Sequence, residues 1–181
     1  MSCCSNYRYN NHSIRFHFGG DRVKIVYHCY GGAHSSVVAA GIHLGLVSTD
    51  RIPTAKELQR IPLFDGPVGK EHGLIRFMGR DEFANDIYTM GRRNAGKQIE
   101  RVLHGLAEIL GGPKDLVMVD VLSYVNWLMV VGGFTSRKLD LVTFGRPIVT
   151  RGVQYFFWDI VNVVQQVKMT VASDNLLTRG R

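Results

Sequence analysis

Val23-Lys-Ile-Val-Tyr-His-Cys-Tyr-Gly-Gly-Ala-His-Ser-Ser-Val-Val-Ala-Ala-Gly41 is the stretch that decides the fold. Val23, Ile25 and Val26 open it as a short β-branched run, the pattern of a buried strand. Gly31-Gly32 ends that run and lets the chain turn tightly, with backbone N–H groups close to whatever lies in front of them. Ser35 and Ser36 are placed to cap a helix whose first turns carry Val37, Val38, Ala39 and Ala40. A strand, a glycine turn and a capped helix form an anion site, because unpaired amides and the helix dipole converge on one point. His28, Cys29 and His34 stand around that point.

Working outward, the helix is expected to run from Ser35 to Gly45, with Ala39, Ala40 and Gly41 allowing close approach to a sheet and His43 at its boundary. Thr54 followed by Glu57 has capping-box spacing and starts a short helix. Pro62, Gly66, Pro67 and Gly69 make an irregular loop. Leu74–Gly79 and Ile87–Gly91 read as a hairpin turned by residues 81–86, with His72 in the loop before it. Between Asn94 and Leu110, the residues Ile99, Val102, Leu103, Leu106, Ile109 and Leu110 recur at helical period, and Gly111-Gly112-Pro113 stops the helix. Leu116–Leu122 is a second buried strand, with Asp120 near its carboxyl end, where open α/β sheets bind ligands. Residues 123–134 are apolar nearly all round and read as a buried or interfacial helix. An extended run within Leu141–Val149 follows, then a final helix over Val153–Lys168 with Phe156, Phe157, Ile160, Val161 and Val164 inward.

Strands alternating with helices at crossover spacing give an α/β class: a single three-layer domain with a mostly parallel sheet and the hairpin as an insertion or antiparallel edge. The domain is expected over 23–169, with 1–22 a polar disordered leader or an over-early start, and 170–181 a flexible tail. At 181 residues, 45% hydrophobic and 20% charged, the chain has the profile of a globular protein with one core. No apolar run approaches the roughly 20 residues that cross a bilayer. Cys3, Cys4 and Cys29 make no disulfide framework and no secretory leader is visible, so a cytoplasmic setting is expected. The net charge of +7 and pI near 9.5 invite a nucleic-acid reading. Basic residues lie partly at the two ends and are otherwise scattered, apart from Arg92, Arg93, Lys97 and Arg101, which read as a solvated helix face. The scatter argues against nucleic acid, and a basic protein serves a phosphorylated small molecule equally well.

Four chemistries compete for the 28–36 loop. A nucleoside-triphosphatase loop needs Gly-x-x-x-x-Gly-Lys-Ser/Thr; aligned on Ser35 the length fits, but the lysine and the first and last glycines are missing, which argues against a standard ATPase. A cysteine nucleophile is the second. Cys29-x-x-Gly32-x-x-Ser35-Ser36 resembles the phosphocysteine loop of sugar-phosphotransferase IIB components and, less closely, low-molecular-weight tyrosine phosphatases, which carry arginine where Ser35 stands. A thiol at a helix N-terminus is a favoured nucleophile, against which stands a merely buried cysteine at a strand end. The third is zinc held by His28, Cys29, His34 and His72, without any diagnostic spacing. The fourth is a non-catalytic binding or regulatory loop.

Three separated segments carry a resemblance over the whole chain: Tyr27–Ser36, Gly73–Gly79 with Tyr88–Gly91, and Gly132–Arg137 with Gly145–Pro147. Together they resemble the domain-of-unknown-function family 3189 over about Val23–Lys168. The resemblance implies a small bacterial cytosolic protein, mainly of Firmicutes. It brings no activity, cofactor or site residue.

The residues themselves lead to one expectation: an anionic or phosphorylated small ligand bound at 28–36, with phosphoryl-transfer or phosphate-ester hydrolysis as its possible chemistry. Gly31 and Gly32 would admit the anion, Ser35 and Ser36 would donate to it, and His28 would line it. Cys29 or His34 would lead any reaction, with Asp120 holding a cation or orienting His34. Arg137 or Arg146 would reach the anion from a later loop. No resident metal or cofactor is indicated.

Overall fold

The computed structural model describes residues 22–66, 72–112, 115–121 and 150–179. The leader up to residue 21, the expected helix at 123–134, the extended run at 141–149, and both Arg137 and Arg146 lie outside the described residues. The elements are β1 (Lys24–Cys29), α1 (Ser35–His43), α2 (Ala55–Gln59), β2 (Ile75–Arg80), β3 (Asp86–Gly91), α3 (Gly96–Ile109), β4 (Leu116–Asp120) and α4 (Phe157–Arg179). A helical stretch over 150–155 leads into α4. Among the described residues, no helix is long and apolar enough to cross a membrane.

The strands form one mixed sheet in the order β2-β3-β1-β4. β1 pairs in parallel with β3 and with β4, and β2 pairs antiparallel with β3. This is the expected α/β arrangement, with the hairpin as an antiparallel edge. β1 is the pivot: every residue from Lys24 to Cys29 is buried. Side chains alternate along a strand. Ile25 and Tyr27 therefore face α1 and α4, among Val37, Ala40, Phe157 and Ile160. Val26 faces the opposite layer, with Tyr88, Met90, Leu116 and Ala107.

Local chemistry shapes each connection. Thr54 Oγ1 accepts the Glu57 N–H while Glu57 accepts the Thr54 N–H, closing the expected capping box on α2. Asp81 Oδ1 accepts the amides of Phe83 and Asn85 and so folds the hairpin turn. Three local expectations are corrected. Ser35 and Ser36 do not cap α1: the cap position is His34, with no side-chain cap bond, and the serines are the first two, buried helix residues. α3 buries a narrower stripe than its periodicity suggested. Ile99 and Leu103 pack beside Ala107, whereas Val102, Leu106, Ile109 and Leu110 are exposed. α4 continues to Arg179, well past Lys168, with Val171 buried and the Thr170 and Ser173 hydroxyls donating to carbonyls one turn back.

The loops after β1 and β3 lie against each other. The Arg92 and Arg93 amides donate to the carbonyls of Cys29 and Tyr30, at 2.9 Å each. Gly32, at φ +74°, is so close to the β3 end that a Cβ there would stand 2.4 Å from Gly91 N. Gly45 has a similar φ of +70° but faces open space. Gly32→Ala is therefore expected to cost roughly 3 kcal/mol or more, left-handed strain added to a backbone clash. Gly45→Ala should cost only about 1–2 kcal/mol, from the strain alone. Urea unfolding of the two variants separates the terms, and equal losses would remove the packing role assigned to Gly32.

Candidate functional site

The carboxyl ends of β1, β3 and β4 lie side by side. β1 is followed by a helix on one face of the sheet and its neighbour β3 by a helix on the other, the arrangement that opens a crevice in open α/β sheets. The two-residue period of β1 then divides the sequence motif. His28 and Cys29, adjacent in the chain, point to opposite faces, so the expected cluster of His28, Cys29 and His34 does not form.

On the α1 face, Cys29 is 4% exposed. Its Sγ accepts the Gly32 N–H at 3.1 Å and lies 3.2 Å from Ser36 Oγ. Gly31, Gly32 and Ala33 are buried, with Gly32 seated on the backbone of Gly91. The glycines thus bring two loops together, and the one hydroxyl of the motif that reaches sulfur is that of Ser36.

On the α3 face, Arg92 organises the other members. Its Nε donates to His28 Nδ1 at 3.0 Å, and its Nη2 donates to both carboxylate oxygens of Asp120 at 2.8 Å. His28 is fully buried. Its Nε2 lies 3.1 Å from Glu100 Oε1. Burial, more than any neighbour, makes His28 hard to protonate. Asp120 and Glu100 oppose that effect, and Arg92 adds to it. His28, Glu100 and Asp120 each offer a ligand atom within 4.8 Å of the others, a set able to meet one metal ion. Beside them lies a cleft of about 520 Å³ lined by Arg92, Asn94, Gly96, Lys97, Glu100 and Asp120, among others.

His34 belongs to neither cluster. Its Nε2 is 3.2 Å from Asp65 Oδ1 and its ring meets Phe64 edge-on. Asp65, and not Asp120, therefore orients His34; the carboxylate of Asp120 is held by Arg92, on the far side of the strand. The zinc set considered from sequence is likewise divided, with His28, Cys29 and His34 in three different places.

Sequence reasoning missed Arg92, Glu100 and Asp65. By sequence Arg92 belongs to a solvated basic face, yet it is the residue directly after β3, a position at the sheet's carboxyl edge. It also missed His43, which is 1% exposed and not at a boundary. Tyr27 Oη is 2.6 Å from His43 Nδ1, and His43 Nε2 is 3.1 Å from Asp81 Oδ2. This Tyr–His–Asp row has the order of a catalytic relay, but Tyr27 is fully buried and reaches no substrate; it ties β1 and α1 to the hairpin turn.

A family profile described as Protein of unknown function (DUF3189) matches residues 24–169. No curated protein and no solved structure matches the chain.

The buried row makes stability depend on acid. Burial keeps His43 from protonating when folded, even against Asp81. Burial also opposes the Asp81 charge, but donors from Asn85, His43 and Phe83 outweigh it and hold that carboxyl below its usual value. The unfolded chain therefore takes up protons first: on His43 below about pH 6.5, and on Asp81 below about pH 3.9. Stability should fall as pH drops through each window. His28, also buried and hard to protonate, adds to the upper window, so His43→Gln should reduce the slope there without abolishing it, and urea midpoints across pH 4.5–7.5 check it; an unchanged slope would rule out His43 as a source.

Proposed function

The chain belongs to the family of unknown function DUF3189. From the chemistry of its own sheet edge we propose that it binds a phosphorylated or otherwise anionic small ligand where the loops after β1 and β3 meet the start of α3. The cleft there carries the reading. It sits at the carboxyl edge of the parallel strands, is large enough for a small ligand at about 520 Å³, and is lined by Arg92, Lys97 and Asn94. Gly96 and Lys97 begin α3, with no acidic residue in its first turn, so the amides and dipole at that helix end favour negative charge. The Arg92 guanidinium is engaged by His28, Asp120 and the Arg93 carbonyl, so exposed Lys97 and Arg93 supply the positive rim that meets an arriving anion, with Arg92 behind them.

In this reading the 28–36 segment contributes through His28, which holds Arg92 from behind, more than through the packed apex of its loop. Binding without chemistry is the primary assignment, in a protein of the bacterial cytoplasm.

A second reading, phosphoryl transfer or phosphate-ester hydrolysis led by Cys29, is favoured by one observation: a backbone amide and the Ser36 hydroxyl both meet its sulfur. Its near-complete burial favours the binding role instead.

Titration with inorganic phosphate, followed by calorimetry, tests the assignment. Lys97→Ala, at an exposed position, should weaken binding about tenfold, the loss of one charged hydrogen bond. Cys29→Ser should bind phosphate as the wild type does and lose any turnover of a phosphate-ester panel. Absence of phosphate binding, or full binding by Lys97→Ala, would overturn the cleft; turnover surviving Cys29→Ser would overturn the nucleophile.

A further inference from the structure

The cleft contains its own charge balance. Arg92 and Lys97 face Glu100 and Asp120, so an anion arriving alone gains from two groups and is opposed by two others. An anion arriving with a divalent cation would satisfy all four. The residues that would hold that cation are in place: His28, Glu100 and Asp120 cluster with ligand atoms within 4.8 Å of one another, Glu100 beside Nε2 of the ring and Asp120 beside Nδ1. His28 is fully buried, and among the described residues its Nε2 meets no polar group but the Glu100 carboxylate. The distance from that nitrogen to Glu100 Oε1 is 3.1 Å. Two ligands on one tetrahedral zinc stand roughly 3.3 Å apart, from metal–ligand lengths of about 2.0–2.1 Å.

We infer that His28 Nε2 and Glu100 form a site for a divalent cation of the manganese or zinc type, closed by Arg92 and opened when the phosphorylated ligand draws that guanidinium into the cleft. The inference rests on the anion reading above for what displaces Arg92. The closing mechanism is tautomeric. A guanidinium always donates, so the bond from Arg92 Nε fixes a lone pair on His28 Nδ1. The neutral ring must then carry its proton on Nε2, where it blocks a metal. When Arg92 leaves, Nδ1 can take a proton and donate it to Asp120 Oδ1, now 3.8 Å away. Nε2 gives up its proton in exchange, so the ring stays neutral and its lone pair turns toward Glu100. Asp120 then holds the ring from behind, the carboxylate–histidine–metal arrangement that fixes tautomer and orientation. Mixed nitrogen and carboxylate ligands suit zinc or manganese better than magnesium, which prefers oxygen alone.

Mn²⁺ binding to the full chain, followed by electron paramagnetic resonance with and without inorganic phosphate, tests the site. Phosphate should tighten Mn²⁺ binding about tenfold, within the usual range of coupling between two ligands. Arg92→Met should bind Mn²⁺ that tightly with no phosphate present. Glu100→Gln, at a half-buried position that tolerates the change, should abolish the phosphate-dependent gain. Nitrogen-15 shifts of His28 in the phosphate-bound protein with Zn²⁺ should report its proton on Nδ1, against Nε2 in the free protein. Phosphate binding with no effect on Mn²⁺, or a gain that survives Glu100→Gln, would overturn the cation site and leave the anion cleft intact. Tight Mn²⁺ binding by Arg92→Met that is lost on adding Glu100→Gln, in a protein that ignores phosphate, would keep the site and overturn the anion reading.

Discussion

The burial of β1 on both faces is the constraint from which the rest of the structure follows. With β3 on one side and β4 on the other, this strand has no edge and no solvated face. Its side chains must alternate between two apolar layers. Tyr27 and Cys29 go to the α1 layer, His28 to the α3 layer. Each polar group so buried needs a local partner: Tyr27 finds His43, and His28 finds Arg92. The side chains of β1 are therefore divided by the sheet between two layers, with Cys29 meeting Ser36 on one and His28 meeting Arg92 on the other.

Arg92 links what the sheet brings together on the α3 side. It comes from the residue just past β3, reaches behind the end of β1 and grips the end of β4. A guanidinium so placed donates to His28 Nδ1, holds both carboxylate oxygens of Asp120, and fronts a cleft. Such a residue ties three strand ends together and lines the cleft beside them. Partial burial of both partners limits solvent screening of the Arg92–Asp120 pair.

The pair of glycines shows how one motif can serve two purposes. Gly-Gly after a strand signals close backbone approach, and sequence alone supplies a ligand as the object approached. Here the object is Gly91, itself a glycine for the same reason. The steric signal is legible in sequence but its object is not, because a long-range backbone contact leaves no trace in local spacing. The same limit applies to α3. Its periodic apolar residues were legible, but the sheet offers room for only a narrow stripe, and Val102 and Ile109 stay outside it.

What the sequence determined by itself is local. It set the β-branched run of β1, the Thr54–Glu57 box, the hairpin and the helices that follow. These depend on residues within a few positions of one another, where propensity and hydrogen-bond reach decide the outcome. Family membership over residues 24–169 was legible for the same reason, as short ordered motifs. The tertiary structure alone decided which polar residues meet. His28 with Arg92, and His34 with Asp65, are separated by 64 and 31 positions. Their meeting depends on strand order, on register and on which face a side chain takes, none of which is encoded in spacing along the chain.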